Sequence, residues 1–313
     1  MIPLKTPDLA PRFLAPPGWH WHSLKNKDGK YLRFGTVAPA NLPPSVHIIL
    51  LPGRAEFAEK YFELARDLLQ KNCAVWIMEW QGQGLSDRPI PRHPERGHSQ
   101  DFIHHVNDLH AFITKTVPGD APRIMLAHSM GANIGLRYLH AHPGIFAAAA
   151  LTAPLFGIPA VDHIPAAPVI LHLLSRLAGK SYAPGQHDWS PGEDDTYCLT
   201  SDPSRAAAAL AWLTENPPLR VGGVTCGWLD RALASCHLLK NPETLSAIHI
   251  PCLIALAGRE QLVDNLATRK AITALPHTKI LEFPGAGHEI LMESDEIRTN
   301  FLDAFFSFIP LNP

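Results

Sequence analysis

One short segment constrains the fold of this chain more than any other: residues 127–131, Ala-His-Ser-Met-Gly. An apolar run precedes it at 123–126, and residues 132–136 have the pattern of a helix start. A small residue, any residue, serine, any residue and glycine between a strand and a helix is the nucleophile-elbow pattern. Such a tight turn strains the serine backbone and presents its hydroxyl at the end of a sheet. The pattern predicts a strand–turn–helix unit with Ser129 open to a substrate carbonyl.

The rest of the chain supplies the strands and helices that such a unit needs. A hairpin around an Asp-Gly turn is predicted at 19–37. Short apolar strands are predicted at 46–51, 73–78, 147–153, 252–257 and 279–283. Apolar residues at helical spacing predict helices at 57–71, 101–116, 263–274 and 295–308. This alternation predicts an α/β fold with a mostly parallel, doubly wound sheet and helices on both of its faces.

Residues 154–246 interrupt that alternation. This stretch contains proline-rich segments, an apolar helix-like run at 169–174 and an alanine-rich run at 206–211. It lies between two strands of the predicted sheet. We therefore predict a core made of residues 1–153 and 247–313, with 154–246 inserted as a helical lid.

Composition and charge exclude several classes of function. The net charge is −2 without a long run of one sign, which argues against nucleic acid as a partner. No segment reaches the roughly 18 apolar residues of a membrane span, and the N-terminus lacks a signal-peptide pattern. The five cysteines include no C-x-x-C pair, which indicates reduced thiols and a cytoplasmic location, with Cys73 and Cys252 in the core.

Cofactor and metal signatures are missing from the sequence as well. No H-E-x-x-H motif occurs among the 18 histidines, and no G-x-G-x-x-G motif follows the first strand. We therefore expect neither a metal nor a cofactor.

Serine is a poor nucleophile at neutral pH, so it needs a base and an acid that orients the base. On a doubly wound sheet the expected chain order is serine, acid, histidine. His288 lies in a glycine-rich loop after the last predicted strand and is the predicted base. Two acids follow the preceding strand. Glu260 is favoured as the orienting acid, and Asp264, where the next helix would begin, is the alternative acid or a helix cap.

The same logic predicts the backbone donors that would hold an oxyanion. One is the amide after the nucleophile, on Met130, and the other comes from the loop after an earlier strand. Residues 51–56 form that loop, and the amide of Arg54 is the predicted donor. Gly53 would let the backbone pass close to the substrate oxygen.

Several of these segments together resemble the lysophospholipase L2 and monoacylglycerol-lipase branch of the α/β-hydrolase family. They are residues 52–61, 79–88, 97–109, 127–131, 225–229 and 263–265. The resemblance implies Ser129 as nucleophile, His288 as base and an acid at position 260. Relatives usually carry Asp at that position and His-Gly in the oxyanion loop, where this chain has Glu260 and Pro52-Gly53.

The resemblance also implies an activity, that of a serine ester hydrolase acting on a single-acyl lipid such as a lysophospholipid or monoacylglycerol. A small-ester carboxylesterase or a cofactor-free haloperoxidase on the same fold is the first alternative. A homologue that binds a ligand without catalysis is the second. The expected partner is a small lipid ester, and contact of the lid with the inner face of the membrane is left open.

Overall fold

A computed structural model describes residues 3–162, 164–190 and 199–310. The strands in these ranges are β1 (His20–Lys25), β2 (Tyr31–Val37), β3 (Val46–Leu51), β4 (Cys73–Met78), β5 (Arg123–His128), β6 (Ala148–Thr152), β7 (Cys252–Ala257) and β8 (Thr278–Phe283). They form one sheet in the order β1-β2-β4-β3-β5-β6-β7-β8. The pairs β1–β2 and β2–β4 are antiparallel, and every other neighbouring pair is parallel. The predicted hairpin and the mostly parallel sheet are confirmed.

Helices connect these strands. The α-helices in the described ranges are α1 (Phe62–Gln70), α2 (Phe102–Thr116), α3 (Met130–Ala141), α4 (Pro159–Asp162), α5 (Ala167–Ala178), α6 (Pro203–Glu215), α7 (Cys226–Leu239), α8 (Pro242–Ser246), α9 (Asn265–Ile272) and α10 (Asp295–Phe308). The predicted helix at 57–71 is instead a 3-10 turn, Ala58–Tyr61, followed by α1, and the Ala58 amide at the start of the turn donates to the Glu79 carboxylate at 3.0 Å. The predicted helix at 263–274 begins only at Asn265, since the Asp264 side chain caps it.

Both faces of the central strands are buried, as their apolar sequences predict. On β5, Met125 and Ala127 pack into the core layer beneath α2 and α3, whereas Ile124 and Leu126 pack on the opposite side beneath α1 and α10. Side chains alternate across a strand, so the central parallel strands are apolar at most positions, whereas the edge strand β8 is partly exposed. The carboxyl ends of β3, β5, β7 and β8 then meet at one edge of the sheet, where active residues collect in such folds.

The described part of the region 154–246 contains the helices α4 to α8, joined by turns and irregular segments. Helix α5 packs against α7, and α7 in turn contacts α3 of the core. Helix α7 therefore lies between α5 and the helix layer that covers the sheet. The division of the chain into a core and a lid at 154 and 246 stays a prediction.

The cysteines and the helix lengths bear on the cellular setting. Cys73, Cys226, Cys236 and Cys252 are buried thiols without disulfides, while Cys198 lies outside the described residues. In the described ranges, no helix combines the length and the apolar character that crossing a membrane requires. The burial of Cys73 and Cys252 in the core is confirmed, and the cellular location stays a prediction.

Candidate active site

The elbow at the end of β5 has the strained geometry that its sequence predicts. Ser129 has φ +51° and ψ −116°, outside the regions that most residues adopt. Its amide donates to the Thr152 carbonyl at 3.0 Å, and its carbonyl accepts from the Leu155 amide at 3.2 Å. A Cβ on Gly131 would lie 2.3 Å from the Leu51 carbonyl oxygen, so only glycine lets α3 approach β3 this closely. The elbow is therefore fixed from both sides with the Ser129 hydroxyl at the sheet edge.

His288 and Glu260 meet in the loops after β8 and β7. The Nδ1 atom of His288 lies 2.7 Å from Oε2 of Glu260, and both side chains are almost fully buried. The other oxygen of Glu260 accepts from the amides of Leu262 at 2.8 Å and Val263 at 3.1 Å. Burial raises the pKa of Glu260, but the contact with His288 and the two amides outweigh burial and leave this pKa below its usual value. Glu260 is therefore ionised near neutral pH and orients the His288 ring.

Asp264 lies elsewhere in the same loop. Its carboxylate accepts from the amides of Leu266 at 2.8 Å and Ala267 at 3.0 Å, which makes it the N-cap of α9. The structure thus brings Glu260 to His288 and leaves Asp264 as a helix cap.

His128, next to the nucleophile position, packs its ring 4.7 Å from the ring of His288. Its Nδ1 atom lies 3.0 Å from the Thr152 hydroxyl. Burial is the largest cause that lowers the pKa of His128 to about 4, with contributions from His288 and Lys60 against Glu56 and Glu260. His128 is therefore a neutral packing partner of the His288 ring at pH 7.

The two predicted oxyanion donors flank the elbow. Met130 is the first residue of α3, so the helix itself provides no acceptor for its amide. Arg54 follows Gly53, where an added Cβ would lie 3.2 Å from the Ser129 Cβ. The Arg54 side chain reaches the region 154–246 and donates from Nη1 to the Gly222 carbonyl at 2.9 Å. The loop after β3 therefore passes over the elbow with its backbone close to Ser129.

Ser129, His288, Arg54 and Met130 all line one cavity of about 820 Å³. Apolar side chains from the region 154–246 line much of the cavity, among them Leu155, Val161, Ile170, Leu174, Leu213 and Trp228. A volume of several hundred cubic ångström with a wall that is apolar over most of its area suits a ligand that is mostly apolar. In the described residues, no cluster of three or more metal-ligating side chains occurs.

Sequence reasoning gave no role to a buried ion cluster beside this cavity. Lys60 contacts both Glu56 and Glu289, and all three residues line the cavity. Glu56 and Lys60 lie in the segment 52–61 that carries the family resemblance, and Glu289 directly follows His288, but nothing in the sequence pairs them. Lys60 and Glu289 are 229 positions apart, so their pairing arises only through the fold.

Residues 43–295 match the family described as serine aminopeptidase, S33. Lysophospholipase L2 of Escherichia coli K12 is 35% identical over 275 residues, which cover 83% of this chain and 79% of that protein. Monoacylglycerol lipase of Mycolicibacterium smegmatis is 26% identical over 282 residues, covering 88% of this chain and 92% of that protein.

Solved structures share the fold of this chain. A soluble variant of monoglyceride lipase from Saccharomyces cerevisiae, in complex with a substrate analog, superimposes with a TM-score of 0.74 at 20% identity. The superposition covers 91% of this chain and 93% of that chain. At this identity the likeness shows a shared architecture.

Proposed function

This chain belongs to the serine aminopeptidase S33 family of α/β-hydrolases, and on that premise we propose that it is a serine ester hydrolase acting on single-acyl lipids. The observation that carries the proposal is one cavity that holds Ser129, His288 and a mostly apolar wall. The pairing of His288 with Glu260 adds the orienting acid. The relatives named lysophospholipase and monoacylglycerol lipase support the same substrate class.

The reaction follows from these positions. The Ser129 oxygen attacks the ester carbonyl while His288 takes the serine proton, and Glu260 stabilises the imidazolium that forms. The amides of Arg54 and Met130 hold the oxyanion, each worth on the order of 3 kcal/mol of transition-state stabilisation. His288 returns the proton to the leaving alcohol. Water then gives a proton to His288 as it attacks the acyl-serine carbonyl, and His288 returns that proton to the Ser129 oxygen as the fatty acid leaves.

The family description also covers peptide bond hydrolysis, which an aminopeptidase achieves by holding the substrate ammonium. Three carboxylates line the described part of the cavity. Glu56 and Glu289 contact Lys60, and Asp188 accepts from the Tyr182 hydroxyl. These carboxylates already have partners in the protein, while the wall is apolar. The lining therefore favours an acyl chain over a peptide.

Chain-length dependence tests the substrate class. Hydrolysis of p-nitrophenyl esters is expected to peak at medium or long acyl chains, because each buried CH₂ adds about 0.8 kcal/mol of binding. A maximum at acetate would indicate a small-ester carboxylesterase. A chain that neither hydrolyses any ester nor labels with a fluorophosphonate would be a binding homologue without catalysis.

We further propose that the substrate enters from a lipid surface through α5. Along this helix Val169, Leu173 and Leu177 are exposed by 63%, 56% and 85%, at a spacing that puts them on one stripe. Ile170, beside that stripe, is exposed and also lines the cavity. The exposed cations Arg176 and Lys180 flank the stripe and suit anionic lipid head groups. The stripe is therefore continuous with the cavity that holds Ser129.

Replacing Leu173 and Leu177 by Gln is expected to weaken sedimentation with anionic vesicles about tenfold or more, because two exposed Leu side chains lose their burial in lipid. Hydrolysis of a water-soluble p-nitrophenyl ester should stay near wild type. Leu42→Gln is the matched control, since Leu42 is 66% exposed outside this helix. Equal vesicle binding by the double variant and wild type would contradict the proposed route.

A further inference from the structure

Resting on the proposed ester hydrolysis, we propose that Lys60 is a positioning residue that ties the oxyanion loop to the loop of the catalytic histidine. Lys60 does not touch the reacting atoms in this scheme. It acts through Glu56 on one loop and through Glu289 on the other. These three residues are called the Lys60 bridge below.

The bridge is buried and closely bonded. The Lys60 Nζ atom donates to Oε1 of Glu56 at 2.9 Å and to Oε1 of Glu289. The three side chains are only 6–7% exposed. Burying an ammonium and two carboxylates is costly unless they are paired, so the arrangement holds only while all three stay together. One cation therefore fixes the separation of two loops that are far apart in sequence.

The Glu56 end of the bridge holds the oxyanion loop. The Glu56 carboxylate accepts from the Gly53 amide and from the Tyr61 hydroxyl, the latter at 2.6 Å. Gly53 directly precedes Arg54, whose amide is the proposed oxyanion donor. A displacement of Glu56 would therefore carry that donor away from the carbonyl that Ser129 attacks.

The Glu289 end holds the histidine loop. Glu289 directly follows His288, and its amide donates to the Leu199 carbonyl at 2.9 Å. On the other side of His288, the Gly287 amide donates to Glu293 at 2.7 Å. The backbone of His288 is thus held from both sides, by Glu293 before it and by the Lys60 bridge after it.

The bridge also sets the charge that His288 faces. The titratable groups around its ring and loop are Glu260, His128, Glu289, Lys60, Glu56 and Glu293. Burial raises the pKa of Glu289, and the Lys60 ammonium opposes this rise. Burial likewise favours protonated Glu56, but Lys60, His128 and Tyr61 lower its pKa to about 2. Without the Lys60 cation, the surroundings of His288 carry more negative charge, and the pH dependence of kcat/KM reports that change.

The test uses the full chain and compares four variants. Three are single changes, Lys60→Met, Lys60→Arg and Glu289→Gln, and the fourth is the double variant that combines Lys60→Met and Glu289→Gln. Arg33→Met is the matched control, because Arg33 also bridges two buried carboxylates, Glu59 and Glu79, outside the cavity. For each variant, kcat and KM for a p-nitrophenyl ester are measured across pH. Active sites are titrated with a fluorophosphonate, and thermal unfolding is recorded in parallel.

Lys60→Met is expected to lower kcat about tenfold or more with KM nearly unchanged, because misplaced groups weaken transition-state binding. The ascending limb of its kcat/KM profile should move to higher pH by about half a unit. Glu289→Gln should move the ascending limb of the kcat/KM profile to lower pH. In the double variant this limb should return to its wild-type position, while kcat should stay low. Lys60→Arg should restore most of both.

The control variant Arg33→Met should unfold at a lower temperature than wild type, but the ascending limb of its kcat/KM profile should not move. The positioning role would be overturned if the ascending limbs of the kcat/KM profiles coincided in all variants, or if the loss of activity came from a higher KM. Either result would leave the proposed esterase activity intact. A wild-type chain that hydrolyses no ester would instead overturn the proposed function and this inference together.

Discussion

Ser129→Ala is expected to lower ester hydrolysis by about 10⁵-fold or more, to the level that the remaining site supports without a nucleophile. The side chain removed is small, and alanine must adopt the same positive φ as the serine. The hydrogen bonds that fix the elbow come from the Ser129 backbone and stay in place. Stability should therefore change little while the acyl-enzyme can no longer form.

The measurement is turnover of a p-nitrophenyl ester together with covalent labelling by a fluorophosphonate and mass detection of the adduct. Wild type should gain one adduct, on the peptide containing Ser129, and the variant should gain none. Ser235→Ala, a change at a buried serine outside the cavity, should label like wild type. Turnover that survives in Ser129→Ala would place the nucleophile elsewhere in the chain.

Glu260→Gln is expected to lower kcat by roughly 10³- to 10⁴-fold, since the orienting anion next to His288 is lost. The amide nitrogen of Gln would also favour the wrong imidazole tautomer by donating to Nδ1. Asp264→Asn should change kcat by less than about twofold, because Asn caps a helix as well as Asp does. The two changes remove the same charge from the same loop, so each is the matched control of the other.

Both variants are compared by kcat and KM on one p-nitrophenyl ester, with thermal unfolding as a check on folding. The account requires the large loss at Glu260 and near-wild-type rates at Asp264. The reverse order would show that the functional carboxylate is Asp264 and that the 2.7 Å contact of Glu260 with His288 is structural.

The fold was largely predictable because its signals are local. The apolar strands β3, β5 and β7 are buried on both faces, and such strands must be apolar along their whole length. Strand and helix bounds shifted by only a few residues where a cap or a positive φ intervened. Asp264 delays the start of α9, and Ala153, at φ +43°, ends β6.

The choice between the two acids was less predictable. Glu260 and Asp264 both follow β7, and either spacing is compatible with reaching His288. The decisive feature is a contact between loops, in which the Arg259 amide donates to the Ala286 carbonyl at 2.9 Å. That bond brings the residue after Arg259 beside the histidine loop. No pattern within either loop encodes it.

The Lys60 bridge and the exposed stripe on α5 lay beyond sequence reasoning for the same physical reason. Pairing between Lys60 and Glu289 depends on how two distant loops pack at the sheet edge. The apolar run in α5 is compatible with a buried helix, and only its packing against α7 shows which side remains exposed. Local periodicity predicts that a helix is amphipathic or apolar but not what covers it.

The most direct test of the central claim is hydrolysis of a panel of lipids by wild type and Ser129→Ala. The panel holds lysophospholipids and monoacylglycerols of several chain lengths, with diacyl phospholipids and p-nitrophenyl acetate as comparisons. The account predicts that wild type releases fatty acid fastest from a single-acyl lipid and that Ser129→Ala releases none above background. Fastest turnover of acetate, or equal release by both proteins, would contradict it.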